Sequence, residues 1–199
     1  MNTPMESKTK GLNDNMPYPD PSFYHSIVGA LQYLTLTRPD LSFCVNYVSQ
    51  FLHSPYLANM KMVRRILHYV KGSIHFGLHL TSDFALDLCG FFYADWVGYP
   101  TTRRSTTSFC TFLGRNIISW CAKKQPTISR SSTEAEYHVM ANTAIELTRF
   151  TFLLRDLHVP QSQPPVLFCD NLSALHMTIN PNNFMHQYHI LSCRNSNCI

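Results

Sequence analysis

Asp95, Glu136 and Asp170 are the residues of this chain best placed to do chemistry. Asp95 lies at the end of the apolar run 86–96, and Asp170 closes PVLFCD at 165–170. Glu136 falls in the first turns of a long helical pattern that opens SSTEAEY at 131–137. Carboxylates at strand ends point into the crevice where open α/β sheets bind ligands. Several acids gathered there repel one another unless a cation lies between them. Their hard oxygens suit Mg2+ or Mn2+, and two such ions can hold the attacking and leaving oxygens of a phosphodiester. The three acids therefore read as a catalytic and metal-binding set for a nuclease. Glu134, close by, pairs instead with Ser131 as a capping box.

The elements that must carry these residues follow from period and turn chemistry. Residues 1–21, with four Pro, read as a flexible tail. Between 22 and 72 three helices are expected. Ser22 caps the first, in which Ile27, Ala30, Leu31 and Leu34 recur at helical spacing; a second starts at Arg38-Pro39-Asp40; a third runs over 58–70 with Gly72 at its end. The period then changes. Ile74, Phe76, Leu78 and Leu80 alternate with polar residues as in a strand, and Leu86 to Phe92 continues that pattern after a turn. Two short strands at 106–113 and 117–121, joined by Gly114-Arg115-Asn116, complete an antiparallel meander. The longest helix covers 131–158, with Leu147, Phe150, Leu153, Leu154 and Leu157 as its buried stripe. A strand at 166–169 and a short helix to about residue 179 follow, and no pattern is legible after them. Trp96 and Trp120 read as core. A meander followed by strand–helix alternation is mixed α/β, with helices flanking the sheet.

Composition narrows the class. The chain has 199 residues, 45% hydrophobic and 14% charged, enough apolar material for a packed core. None of the seven Cys forms a C-x-x-C pair, so a zinc site or disulfide framework is not expected and a reducing compartment is. Neither a signal-peptide pattern nor an apolar stretch long enough to span a bilayer is legible. The expected product is a soluble intracellular protein of the cytoplasm or nucleus.

Net charge is +4, a weak bias toward an anionic partner. Lys61, Arg64, Arg65, His68 and Lys71 recur at helical spacing and form a basic face suited to a phosphate backbone. Arg103, Arg104, Lys123, Lys124 and Arg130 fall in or beside loops, where they can flank an A-form-like duplex through its backbone. An ordinary solvated surface accounts for the same charges equally well.

These segments resemble a known family. YHSIVGALQYLTLTRPD at 24–40, RILHYVKG at 65–72, ADWVG at 94–98, RRST at 103–106, ISWCAKKQP at 118–126, SSTEAEY at 131–137 and CDN at 169–171 occur in the order found in copia-type retrotransposon Pol polyproteins. The resemblance implies a small helical thumb/connection-like segment of a reverse transcriptase over 22–80, an RNase H-like domain over 84–190, and a disordered tail at 191–199. It implies no polymerase active site and no small-molecule substrate. It implies Mg2+ or Mn2+ as cofactor and an RNA–DNA hybrid as partner.

The resemblance also implies a damaged site. Glu136 and Asp170 match the second and third of the family's four carboxylates. The first is the leading Asp of a Ser-Asp-Ala-Asp-Trp-Ala-Gly segment, and Tyr93 stands in its place, with Asp95 two residues on. No acid follows Asp170, so the fourth is missing and the end of the chain reads as frame-shifted or truncated. His186 and His189 match the family's mobile histidine poorly. Three readings stay open: an inactive remnant with residual hybrid binding, an active ribonuclease in which Asp95 replaces the lost ligand, and a non-catalytic nucleic-acid-binding module.

Overall fold

The computed structural model describes residues 3–5, 16–82, 85–99, 102–159, 161–177 and 189–192. The chain divides into two compact units, Met1–Leu78 and His79–Ile199.

The first unit is helical: α1 (Pro21–Leu34), a single 3-10 turn at Pro39–Leu41, α2 (Ser42–Ser49) and α3 (Leu57–Gly72). Asp20, rather than Ser22, caps α1. Its Oδ1 accepts from the Phe23 N–H at 3.0 Å, and Pro21 takes the first helical position, where no N–H is needed. The helices close on Tyr24, Val28, Leu31, Leu41, Val45, Val48, Val63 and Ile66, all buried. Each such side chain contributes about 1.5–3 kcal/mol by leaving water. The Tyr24 hydroxyl donates to the Val48 carbonyl at 2.8 Å, so the one polar atom of this core side chain is satisfied, and burial pushes its phenol well up. Residues 16–18, expected in the tail, are anchored: Tyr18 N–H donates to Pro55 O at 2.8 Å and Leu57 N–H to Met16 O at 3.0 Å.

Residues 74–80 do not form the expected strand. Ile74, Phe76 and Leu80 are all more than 60% exposed. An alternating pattern makes a strand only where a neighbouring edge takes up its backbone groups, and among the described residues every regular element of the first unit, to which 74–78 belong, is helical.

The second unit has a five-stranded sheet in the order β3-β2-β1-β4-β5. Its strands are β1 (Leu88–Asp95), β2 (Thr106–Leu113), β3 (Asn116–Lys124), β4 (Val166–Cys169) and β5 (His189–Ser192). The β1, β2 and β3 strands form the antiparallel meander, and β4 lies parallel to β1. Gly114 makes the β2–β3 turn with a φ of 57°, a conformation glycine adopts without strain. The β5 strand is a correction: its last residues fall in the expected disordered tail, yet it pairs in parallel with β4. Among the described residues two helices accompany the sheet, α4 (Ser132–Asp156) and α5 (Leu172–Met177). The mixed α/β arrangement is compatible with an RNase H-like fold.

Helix α4 lies tight on β1 because Gly90 has no side chain. A Cβ there would meet Thr143 Cγ2 at 3.0 Å and Leu147 Cδ1 at 3.3 Å. The core between them holds Leu88, Met140, Ala144, Leu147, Leu154 and Leu167. The predicted stripe was too broad: Leu153 and Leu157 are exposed, at 45% and 62%. Trp96 is also 45% exposed rather than core.

Candidate functional site at the end of β1

The site forms where β1 ends against the first turns of α4. Ala94, Ala135 and Val139 make a small buried cluster there, with Phe92 packed on it. Small side chains let the helix approach the strand closely and bring Glu136 beside Tyr93. Ser131 Oγ accepts from the Glu134 N–H at 3.1 Å, which caps α4; Glu134 Oε2 accepts from the Arg130 N–H at 2.7 Å. Glu134 thus points away from the site, as its capping role predicted.

A buried glutamine, not foreseen from sequence, fixes the same helix end. Gln125 is 3% exposed. Its Nε2 donates to the Ala135 carbonyl at 3.0 Å and to Thr107 Oγ1 at 3.3 Å, and its Oε1 accepts from Ser129 Oγ at 3.0 Å. One side chain therefore joins the exit of β3, the start of β2 and the first turn of α4. The available signal was weak, a Gln-Pro pair just beyond a strand.

Asp95 is seated in the turn that ends β1. Its carboxylate folds over Gly98, where a Cβ would collide with Asp95 Oδ2. The Gly98 N–H donates to the Asp95 carbonyl at 3.3 Å, Trp96 Nε1 donates to Ser129 O at 3.2 Å, and Val97 takes a φ of 57°. Asp95 is therefore part of a pinned turn. Burial pushes its carboxyl up.

Glu136 and Asp170 do come together. Burial pushes the Glu136 carboxyl up, the Asp170 charge pushes it further, and a hydrogen bond from Asn171 partly offsets both. Glu136 Oε2 is buried and has no hydrogen-bond partner among the described residues. Asn171 does two jobs: its Oδ1 also accepts from the N–H groups of Ser173 and Ala174 at 2.9 and 3.1 Å, capping α5. An Asn just before a helical pattern is a legible cap, but its reach to Glu136 is not.

Tyr93 fills the remaining corner, 58% exposed. Its phenol is pushed up by burial and by the negative charges of Asp95, Glu136 and Asp170. A tyrosine phenol is neutral at pH 7 in any case, and these surroundings favour the neutral form further. Among the described residues no three of His, Cys, Asp and Glu are grouped to hold a metal ion. Two carboxylates and a neutral phenol do not fit a pair of divalent ions, each of which needs several hard, mostly anionic oxygens. His186 lies outside the described residues, and His189 is placed only as backbone of β5.

The loop cations gather at the same end of the sheet. Lys124 and Lys123 pair in register with Thr106 and Thr107, and Thr106 in turn with Asp95. Lys124 Nζ sits 4.2 Å above the Tyr99 ring. Burial and the nearby Arg104 push its amine down. Arg103, Arg104, Lys123 and Arg130 are exposed. Lys61, Arg64, Arg65, His68 and Lys71 lie in the other unit, on α3. All are exposed except Arg65, half-buried, whose Nη2 reaches Thr3 Oγ1 at 3.4 Å.

Two curated relatives align with most of this chain. The chain is 42% identical over 180 residues to the retrovirus-related Pol polyprotein from transposon RE2 of Arabidopsis thaliana, covering 90% of this chain and 12% of that protein. It is 41% identical over 180 residues to the corresponding polyprotein from transposon RE1, with the same two coverages. This chain belongs to the copia-type retrotransposon Pol polyprotein family. A third relative, an uncharacterized mitochondrial protein of Arabidopsis thaliana, is 56% identical over 148 residues, which is 74% of this chain and 62% of that protein. This Pol-family chain thus spans about an eighth of the polyproteins it matches. No family model and no solved structure matches it. Among its described residues no helix is long and apolar enough to cross a membrane.

Proposed function

We propose that this chain is a Pol-family RNase H-like module that binds nucleic acid, an RNA–DNA hybrid foremost, without cutting it. One observation carries the reading. The β1 position that faces Glu136 and Asp170 holds Tyr93, a neutral phenol, while the nearest replacement, Asp95, is seated on Gly98. A phenol with an ordinary pKa near ~10 supplies no negative oxygen at neutral pH. Residual binding rests on Arg103, Arg104, Lys123 and Lys124 beside the site, which can meet a duplex backbone by charge. Such a module works where nucleic acid is made, in the cytoplasm or nucleus.

The test is a labelled RNA–DNA hybrid incubated with the full chain and Mg2+ or Mn2+. No metal-dependent cutting above that of Glu136→Gln is expected. Robust cutting that Glu136→Gln abolishes would overturn the reading and make Asp95 the replacement ligand. Hybrid binding should weaken steeply with salt, and Arg104→Ala should flatten the slope by about one counterion. Binding indifferent to salt would remove the second half of the proposal.

A further inference from the structure

An apolar groove of about 360 Å³ runs between α1 and α3 in the helical unit. Ile27, Ala30, Tyr33 and Leu34 line one wall, and Leu67 and Val70 the other. Tyr33 is 78% exposed and Leu67 39%, so the groove is open to a partner. Its polar lining is negligible, which is unlike a phosphate site and like the grooves that accept amphipathic helices. The α1 wall from Ile27 to Leu34 covers about two helical turns, the length over which a partner helix presents anchors at i, i+3 or i+4, and i+7.

Charge selects the partner. Arg64, His68 and Lys71 are exposed on α3, on the arc of the helix next to Leu67. Helix α3 carries four Lys or Arg and no acid, and α1 carries no charged residue at all. The groove is therefore apolar along its floor and cationic along one rim.

We propose that this groove docks an acidic amphipathic helix of a partner protein, with apolar anchors seated between α1 and α3 and carboxylates against Arg64 and Lys71. The groove belongs to the helical unit, and the proposal does not depend on what the carboxylate site does.

The experiment uses the full chain and a fluorescein-labelled helical peptide with Leu at positions i, i+4 and i+7 and Glu on both flanks, read by anisotropy. A control peptide has every Glu replaced by Lys. The acidic peptide should bind at least tenfold more tightly than the basic one. Ala30→Arg, an exposed position on the α1 wall, should weaken it at least tenfold, and Arg64→Glu with Lys71→Glu should weaken it several-fold. Circular dichroism checks that the variants remain helical; Leu67→Gln, a milder groove change, replaces Ala30→Arg if that variant is not. Equal binding of the two peptides, or binding untouched by the groove variants, overturns the proposal. So does an RNA–DNA hybrid whose affinity drops with Ala30→Arg, which would make the groove a nucleic-acid surface. Dimerisation of the chain abolished by Ala30→Arg would equally overturn it in favour of a second copy.

Discussion

Asp40 in the helical unit and Glu136 in the sheet unit are both carboxylates beside a core, and their surroundings treat them oppositely. Arg38, nearly buried, grips Asp40 with Nε to Oδ1 at 2.9 Å and Nη2 to Oδ2 at 2.8 Å, and the Tyr69 hydroxyl donates to Oδ2 at 3.0 Å. The same guanidinium donates to Ser73 O and Oγ at 2.9 and 2.8 Å, tying the turn after α1 to the end of α3. These partners hold the Asp40 carboxyl below its ordinary range. Glu136 has an acid for a neighbour, one amide for relief and a buried oxygen with no partner among the described residues. A planar fork that matches a carboxylate makes an acid part of the scaffold. An acid held against another acid is raised in energy, and that repulsion weakens the fold. The helical unit is built for rigidity, while the sheet unit retains a site that costs it stability.

The largest expected effect tests the first half of that contrast. Arg38→Met should destabilise the helical unit by about 3 kcal/mol, because it removes charged hydrogen bonds and leaves Ser73 and Asp40 short of partners. Trp96 and Trp120 are the chain's two tryptophans and both lie in the sheet unit. Far-UV circular dichroism should therefore lose helix at lower denaturant while tryptophan fluorescence changes late. Coincident transitions would show that the contrast is not one of separate stabilities.

Gly90→Val should cost the sheet unit about 2 kcal/mol, since the added carbons press on Thr143, Leu147 and Leu167. The tryptophan transition is the readout, and an unchanged midpoint would mean that α4 is not held against β1 as described.

Val97→Gly should stabilise the sheet unit by about 1 kcal/mol, because a β-branched residue at a φ of 57° is strained and glycine is not. A lower tryptophan-transition midpoint would show that the pinned turn holds Val97 for reasons other than its backbone.

The smallest effect concerns pH. Asp40 has a lowered pKa, so its contribution is present above the ordinary carboxylate range and is lost as pH falls through its folded value. Glu136 has a raised pKa, so its contribution is present at acid pH and is lost as pH rises through its folded value. Glu136→Gln should therefore stabilise the sheet unit slightly at pH 7, and the difference from the parent chain should vanish toward pH 4. Asp170→Asn should act in the same direction by removing the neighbouring charge. A difference that stays constant from pH 7 to 4 would mean that the Glu136–Asp170 repulsion is not felt in solution.

Much of this molecule was legible in its sequence. The meander, the parallel strand at 166–169 and helix α4 with its Ser131 cap follow from period and turn chemistry, which are local properties. Residues 74–80 show where such reasoning stops. Their alternation is as clear as that of β1, but a strand also needs an edge to pair with. Likewise β5 has little pattern of its own and takes its conformation from β4 beside it.

The site divides along the same line. The sequence by itself determined which oxygens are available: carboxylates at 95, 136 and 170, and a phenol at 93 where an acid would complete the set. Only the tertiary structure decided how they are spent. Small residues at the β1–α4 contact bring Glu136 to Asp170 and Tyr93. Gly98, three residues along the chain, leaves a hollow that the Asp95 carboxylate occupies. The aspartate side chain is short, and here it is held against Gly98. Its position in the sequence does not say where it lies; the packing around it does.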